Sequence, residues 1–445
     1  MAVGAVVRRG FAGDLAGRLA ELRALRGPAV DGFTGRVRDL VVIASSSRGG
    51  SSMVTELLRH SPRVLHLRAE INPFLRLAGL GHPDSATGSD RLGAEHLHAL
   101  APHVRQELDR ELALDAGTPC DAVDDEQYAL DVAWRITVQW PDFDLDPRLL
   151  TRLALRVLGE VRAARGWRAG EVRDVVAFHL ALLEALRAGG LPVDARYYDL
   201  PAARRGSGEP LGAPGDTLVE EPPFVLTQPW RRADEHDVAH KSLVVKTPSN
   251  AYRIGFLRAL FPHARLRVVH LTRNPAAAIN GLYDGWRHDG FHAHRVAEPL
   301  RISGYADHRP QDRLWWKFDL PPGWREYTDA PLTRVCGFQW HRCHQAVLDE
   351  VAPVAADTVR IRFEDLIRSR RSRVDCARHL AEWLGVPFDG ALRRAAQEGI
   401  GPVVATAAPA PARWRARAGL ILRAVRGPVR DLAERLGYDA EDGWI

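Results

Sequence analysis

Five short runs of apolar, mostly β-branched residues recur along the chain, and they constrain its fold more than any other feature. They are DLVVIAS (39–45), VLHL (64–67), SLVVK (242–246), LRVVHLT (266–272) and TVRIRF (358–363). Runs of this length with no polar alternation read as strands buried on both faces, and most are followed by a helical pattern, which makes βα units. The expected fold class is therefore α/β: a parallel sheet flanked by helices. Between the second and third runs, residues 90–114 and 146–189 read as helices with no comparable strand, so residues of about 90–240 form a helical insertion. Ahead of the first run, Leu15, Leu19, Leu22 and Leu25 fall on one stripe of a helix over 11–26. This places an N-terminal helical extension at 1–38, packing on the main domain at 39–445. The Pro- and Gly-rich stretches 201–223 and GPVVATAAPAPA from Gly401 read as loops or linkers.

Open α/β sheets place ligands at the carboxyl ends of their strands, and each run here ends in a group able to bind or react. The first leads into SSSRGGSSMVTELLRH, in which Arg48, Gly49, Gly50, Ser51 and Ser52 open a helix near Ser51. Glycines let backbone N–H groups curl around a phosphate, the helix start adds partial positive charge, and the serines donate further hydrogen bonds. The loop is P-loop-like without being a Walker A sequence, since GxxxxGK[ST] is absent. The second run leads to Glu70, the third ends in Lys246-Thr247-Pro248, and the fourth ends in Thr272-Arg273-Asn274-Pro275, where proline can open a helix beside a second anion site. Lysine is scarce, with only Lys241, Lys246 and Lys317 among 61 basic residues, a bias attributable to a GC-rich genome. A lysine that ends a buried strand therefore stands out.

These segments together resemble the sulfotransferases that use 3′-phosphoadenosine 5′-phosphosulfate (PAPS). SRGGSS is similar to their 5′-phosphosulfate loop, with Arg48 as the basic residue, Gly50 as the glycine and Ser51 and Ser52 as the hydroxyls. HSPRVLHLRAEINPF resembles the segment of the tyrosylprotein and bacterial members that carries a glutamate base, here Glu70. KTPSNAYRIGFLRALFPHARLRVVHLTRNP resembles their lysine element, the helix before Phe-Pro, and the 3′-phosphate strand with its Arg-Asn-Pro end. TVRIRFEDLIRS, HLAEWLGVPFD and RWRARAGLI followed by LGYD are similar to the late elements of bacterial members. The resemblance runs from about Asp39 to the C-terminus and covers neither the N-terminal helix nor the insertion. One position departs from the pattern: where the family has a serine eight residues after the strand-end arginine, this chain has Gly281, with Asn280 beside it.

The resemblance implies in-line transfer of a sulfuryl group from PAPS, as co-substrate and without a metal, to a hydroxyl or amine of a small-molecule or saccharide acceptor. Glu70 is the implied base. Lys246 and Arg48 would stabilise the leaving bisphosphate, the loop would hold the 5′-phosphate, and Arg273, with Asn280 or Gly281, the 3′-phosphate. Two other readings stay open: a nucleotide-dependent kinase, disfavoured by the missing P-loop lysine, and a non-catalytic nucleotide-binding protein, motivated by Gly281.

Composition narrows the partners. A net charge of +5 on 445 residues, spread over interspersed arginines, gives no basic tail for nucleic acid. No run approaches the roughly 20 apolar residues of a spanning helix. Cys120, Cys336, Cys343 and Cys376 form no CxxC pair. These features imply a cytoplasmic protein with neither membrane insertion nor a disulfide framework. Five tryptophans (Trp286, Trp315, Trp316, Trp324 and Trp340), with Phe318, Tyr327 and Phe338, either form an acceptor surface or fill a core. His288, His292 and His294, and His341, Cys343 and His344, match no metal spacing and read as solvated or acceptor-contacting.

Overall fold

The computed structural model describes residues 7–8, 14–205, 209–401, 406, 410–439 and 444. Most of the linker stretch after Gly401, the start of the expected helix over 11–26 and part of the stretch 201–223 lie outside the described residues. Each apolar run forms a strand. These are β1 (Asp39–Ala44), β2 (Val64–His66), then, after two unforeseen strands β3 (Gly117–Pro119) and β4 (Trp230–Arg232), β5 (Ser242–Lys246), β6 (Arg265–Thr272) and β7 (Thr358–Arg362). They build one seven-stranded sheet in the order β7-β6-β1-β5-β2-β3-β4. The five predicted strands run parallel, and β1 sits among them with Leu40 to Ala44 fully buried, as a strand covered on both faces must be.

The insertion is not purely helical, and the sheet is not purely parallel. β3 and β4 extend the β2 edge antiparallel. Three residues are too few to show a period in sequence. Gly117 permits the pairing, because a Cβ there would lie 2.2 Å from the Arg231 carbonyl oxygen. The helices of this region include α3 (Pro102–Asp115), α4 (Asp125–Gln139), α5 (Pro147–Arg165) and α6 (Val175–Ala188).

The N-terminal helix, Leu15–Leu25, starts on an Asp14 cap that accepts from the Gly17 amide at 2.8 Å. It packs against α4 and α5 of the insertion. The reason lies one residue past its end. Arg26 donates to Asp131 on α4 (2.9 Å) and Glu111 on α3 (3.1 Å). Asp131 also receives Arg68 at 2.5 Å and Arg232 at 2.9 Å, so one buried carboxylate gathers arginines from three separate segments. Burial alone would raise the Asp131 carboxyl, but these arginines hold it well below the usual range.

The crossing from β1 to β2 passes over β5, whereas β6 and β7 lie on the other side of β1. The strand-end loops on either side of β1 therefore part at the carboxyl edge and leave a crevice.

Candidate active site

The loop after β1 continues the buried strand through Ser45, Ser46 and Ser47, turns at Arg48 (φ +62°), and enters the helix Ser51–Arg59 through Gly50 (φ +99°). The Gly49 amide closes the turn on the Ser46 carbonyl at 2.9 Å. Both glycines are required by space. A Cβ on Gly49 would fall 2.2 Å from Ser45 Oγ, and one on Gly50 would fall 2.1 Å from the Phe363 ring in a backbone region that only glycine enters freely. Gly50→Ala is therefore expected to lower unfolding stability by about 1–3 kcal/mol, read as a lower Tm.

Strand register brings the other candidates level with this loop. Lys246 pairs in the ladder with Ile43, and β6 runs two residues past the Ala44–His270 pair before Arg273. Lys246 Nζ donates to Glu70 Oε1 at 2.5 Å across the mouth of β5 and β2, with both side chains partly open to the cavity. Arg273 Nη1 donates to the Arg48 carbonyl oxygen at 2.9 Å, and its guanidinium lies 4.7 Å over the Phe363 ring. Asn274 caps the helix α7 (Pro275–Trp286) by accepting from the Ala277 amide at 2.8 Å. Its own N–H groups donate to Glu364, which also accepts from Tyr438. This cage fixes the backbone from which Arg273 projects.

A single cavity of about 890 Å³ is lined by Arg48, Gly50, Ser51, Ser52, Glu70, Lys246, Arg273, Asn280 and Gly281. Every predicted site residue except Gly49, which sits behind the loop, thus meets in one place. Gly281 faces Arg48: a Cβ on it would lie 3.3 Å from the Arg48 Cβ and 4.0 Å from Arg273 Nη1. Asn280 Oδ1 accepts from Arg417 at 3.0 Å. A side chain at 281 would therefore press on the Arg48 stem, while its approach to Arg273 would be ordinary contact.

Two guanidiniums in one buried crevice are costly without an anion. Burial first, and then the neighbouring Arg273, bring Arg48 down to about 10, and burial likewise lowers Arg273. Among the described residues, Arg273 Nε is buried with no hydrogen-bond partner. A phosphate group would satisfy this donor and offset the like-charge pair, so the residues present fit an anionic, phosphate-bearing ligand.

Sequence reasoning missed several residues that line the cavity. Arg413, paired with Asp284 at 2.8 Å, lies within the RWRAR stretch, whose clustered arginines were a usable signal. Phe291 stacks under the Arg48 guanidinium at 5.1 Å. Asp319 lies 272 positions from its partner Ser47, and nothing local marks it.

The tryptophan-rich segment is a core rather than an acceptor surface. Trp286, Trp316 and Trp340 are fully buried, Trp324 nearly so, and Trp286 meets Tyr305 and Trp316 edge to face at 4.8 and 5.2 Å. Their indole N–H groups all find acceptors: Gln339, Asp319, Gly88 and the Arg273 carbonyl. Of that aromatic group, only Phe318 reaches the cavity. The histidines are also structural. His292 pairs with Asp312, His294 with Asp90, and His344, on the helix Leu332–Val351, with His270 of β6. Among the described residues, Asp234, His236 and Asp237 come close enough to share a cation, but Asp237 is already paired with Arg231 and Lys241. No helix among the described residues is long and apolar enough to cross a membrane.

The model of the sulfotransferase family matches residues 40–306, more than half of the chain. Among solved structures, the chain is similar to a sulfotransferase domain from the curacin biosynthetic pathway, at 12% identity over 91% of this chain and 99% of that one, with a TM-score of 0.37. A sulfotransferase domain from the Synechococcus PCC 7002 olefin synthase has 14% identity over 91% and 96%, with a TM-score of 0.36. Sulfotransferase STF9 from Mycobacterium avium has 16% identity over 97% and 84%, with a TM-score of 0.36. No curated protein matches the chain.

Proposed function

The chain belongs to the sulfotransferase family, and from that premise we propose that it moves a sulfuryl group from PAPS to a hydroxyl or amine of a small-molecule or saccharide acceptor. The observation that carries this reading is the pair of half-buried arginines, Arg48 and Arg273, joined through the Arg48 carbonyl at 2.9 Å in the cavity that also holds the Lys246–Glu70 pair. Cations to grip two phosphates and an acid–base pair to drive a displacement share one crevice.

PAPS supplies an activated sulfuryl group whose bond to the bridging phosphate oxygen breaks as a bond to the acceptor atom forms. Around it, the backbone amide of Gly50 and the hydroxyls of Ser51 and Ser52 hold the 5′-phosphate, while Gly49, whose amide closes the turn on Ser46, shapes the loop. Arg273, beside Asn280 and Gly281, holds the 3′-phosphate. Glu70 accepts the proton of the acceptor. Lys246, released from Glu70, and Arg48 stabilise the charge that grows on the leaving phosphate oxygen. The contact of Lys246 with Glu70 favours turnover over a protein that only holds nucleotide, since each is kept within one hydrogen bond of the other's future partner.

Sheet order separates the two ends of the cavity. Arg273 follows β6, whereas Glu70 follows β2, next to the edge that the insertion covers. Val176, Pro222, Pro223 and Leu226 of the insertion also line the cavity, with Asn72, Gln228, Glu220 and Glu221 as polar groups, and this suits a hydroxylated acceptor with an apolar face.

Sulfate transfer from labelled PAPS to a panel of hydroxylated metabolites and saccharides tests the proposal. Transfer is expected with wild type. Arg273→Ala is expected to raise the Kd for adenosine 3′,5′-bisphosphate roughly 10- to 100-fold, the worth of a hydrogen bond to a charged group. Absence of both bisphosphate binding and transfer overturns the reading.

A further inference from the structure

Outside the motifs, one buried carboxylate touches the loops at both strand ends that frame the cavity. Asp319 is 3% exposed. Its Oδ1 accepts from Ser47 Oγ at 2.6 Å, and its Oδ2 accepts from the Tyr252 hydroxyl at 2.8 Å. Its main-chain oxygen takes the Trp316 and Gln339 side-chain N–H groups, both at 2.9 Å, so the residue is held at both ends. Ser47 directly precedes Arg48. Tyr252 closes the turn Pro248–Tyr252 that begins two residues after Lys246. We propose that Asp319 is a positioning residue that clasps the phosphate cradle to the lysine loop and takes up a proton when an anion fills the cradle. The inference rests on the reading of this cavity as the donor site.

A second carboxylate shows what is unusual. Asp90 accepts from Ser249 of the same turn at 2.6 Å and from the amide of Leu320, next to Asp319, at 2.9 Å. Burial works to raise its carboxyl, but His294 and Arg253 outweigh that and hold it well below the ordinary range. Asp319 has no such support. The groups facing it are Ser47 of the cradle, Tyr252 of the turn, Cys343 of the helix Leu332–Val351 and Asp90, and among the described residues no cation pairs with it. Burial is the main cause that pushes it up to about 6; Asp90 adds to this, while the two hydroxyl donors pull the other way.

Asp319 and Ser47 both line the cavity, so an anion in the cradle adds negative charge to a site that already disfavours it. Binding then raises the Asp319 value further, and by linkage the anion binds more tightly to the protonated form. The sign follows. Below about pH 6 Asp319 is protonated in both free and bound protein and affinity is flat. Above it, affinity falls as pH rises, until the value of the bound form is passed. Clasping two loops with a group that becomes neutral on loading avoids a fixed negative charge beside the donor.

The experiment measures binding of adenosine 3′,5′-bisphosphate to the full chain by calorimetry from pH 5.5 to 8.5, in buffers of different ionisation heat, for wild type, Asp319→Asn and Tyr252→Phe. Dividing each wild-type affinity by that of the variant cancels the titration of the ligand's own phosphates. The expected result is a wild-type affinity that declines relative to Asp319→Asn by up to tenfold per pH unit above about pH 6, with extra proton uptake that Asp319→Asn lacks. Tyr252→Phe removes one donor to the carboxylate and should move the midpoint to higher pH, a change that a purely structural role would not produce. Parallel pH profiles with equal proton uptake overturn the inference while leaving the donor reading intact. Absence of bisphosphate binding by wild type at every pH overturns the donor reading and the inference with it.

Discussion

Glu70→Gln is expected to lower kcat for sulfuryl transfer by about 10²–10⁴-fold, the range of a lost general base, with the Kd for adenosine 3′,5′-bisphosphate unchanged within about twofold. Glutamine keeps the oxygen that accepts from Lys246 Nζ but cannot take a proton from the acceptor. The side chain is 31% exposed and its ion pair sits at the cavity mouth, so the contact adds little to folding. Tm should therefore move by no more than a degree or two, about what a few tenths of a kcal/mol gives in a chain this long. Single-turnover transfer from labelled PAPS, with bisphosphate binding in parallel, makes the comparison. A variant with wild-type turnover would remove Glu70 from the chemistry. One that loses binding and turnover together would assign it to holding the donor.

Lys246→Ala is the second large effect, an expected loss of about 10²–10³-fold in kcat, comparable with removing one preorganised donor from a developing anion. The lysine ends a strand whose preceding residues are buried, in register with Ile43, so its stem is fixed while its amine reaches the cavity. Lys246→Arg should recover little of the loss. A planar guanidinium, broader than an ammonium, cannot occupy the position of a compact amine 2.5 Å from Glu70 without displacing it. The readout is kcat against KM for PAPS: a defect confined to kcat marks stabilisation of the leaving group, and one confined to KM would overturn that role. With both residues replaced, the losses should fall short of additive, since the two act on one displacement.

Much of the architecture was legible because its physical cause is local. A strand covered on both faces must be apolar throughout, so β1, β5 and β6 declare themselves within a few residues of their true bounds. A chain that turns from strand to helix around an anion needs glycine, and Gly50 occupies the one position where the Phe363 ring leaves no room for a Cβ. The short edge strands β3 and β4 escaped because three residues hold no period, and what makes them strands is the partner already in place. The N-terminal helix showed its apolar stripe but not its partners, α4 and α5, which it meets beside Arg26 and a buried cluster of acids distant in sequence.

The same division holds within the cavity. Arg48, Lys246 and Arg273 could be named from their places at strand ends, since a parallel sheet aligns its carboxyl edges whatever the intervening chain does. Whether the tryptophans were an acceptor surface or a core could not be read, because both uses ask for the same residue type and differ only in which neighbours enclose the ring. Asp319 left no mark at all. The amino-acid order by itself determined the βα pattern, the glycines of the cradle and the ionisable groups that end each strand, all of which depend on neighbours a few residues away. Only the tertiary structure decided that two guanidiniums share one crevice, that a lysine faces a glutamate, and that a carboxylate paired with no cation among the described residues touches the loops between them. Burial and Coulomb interactions depend on distance in space, and segments separated by hundreds of residues acquire that distance only when the sheet has closed.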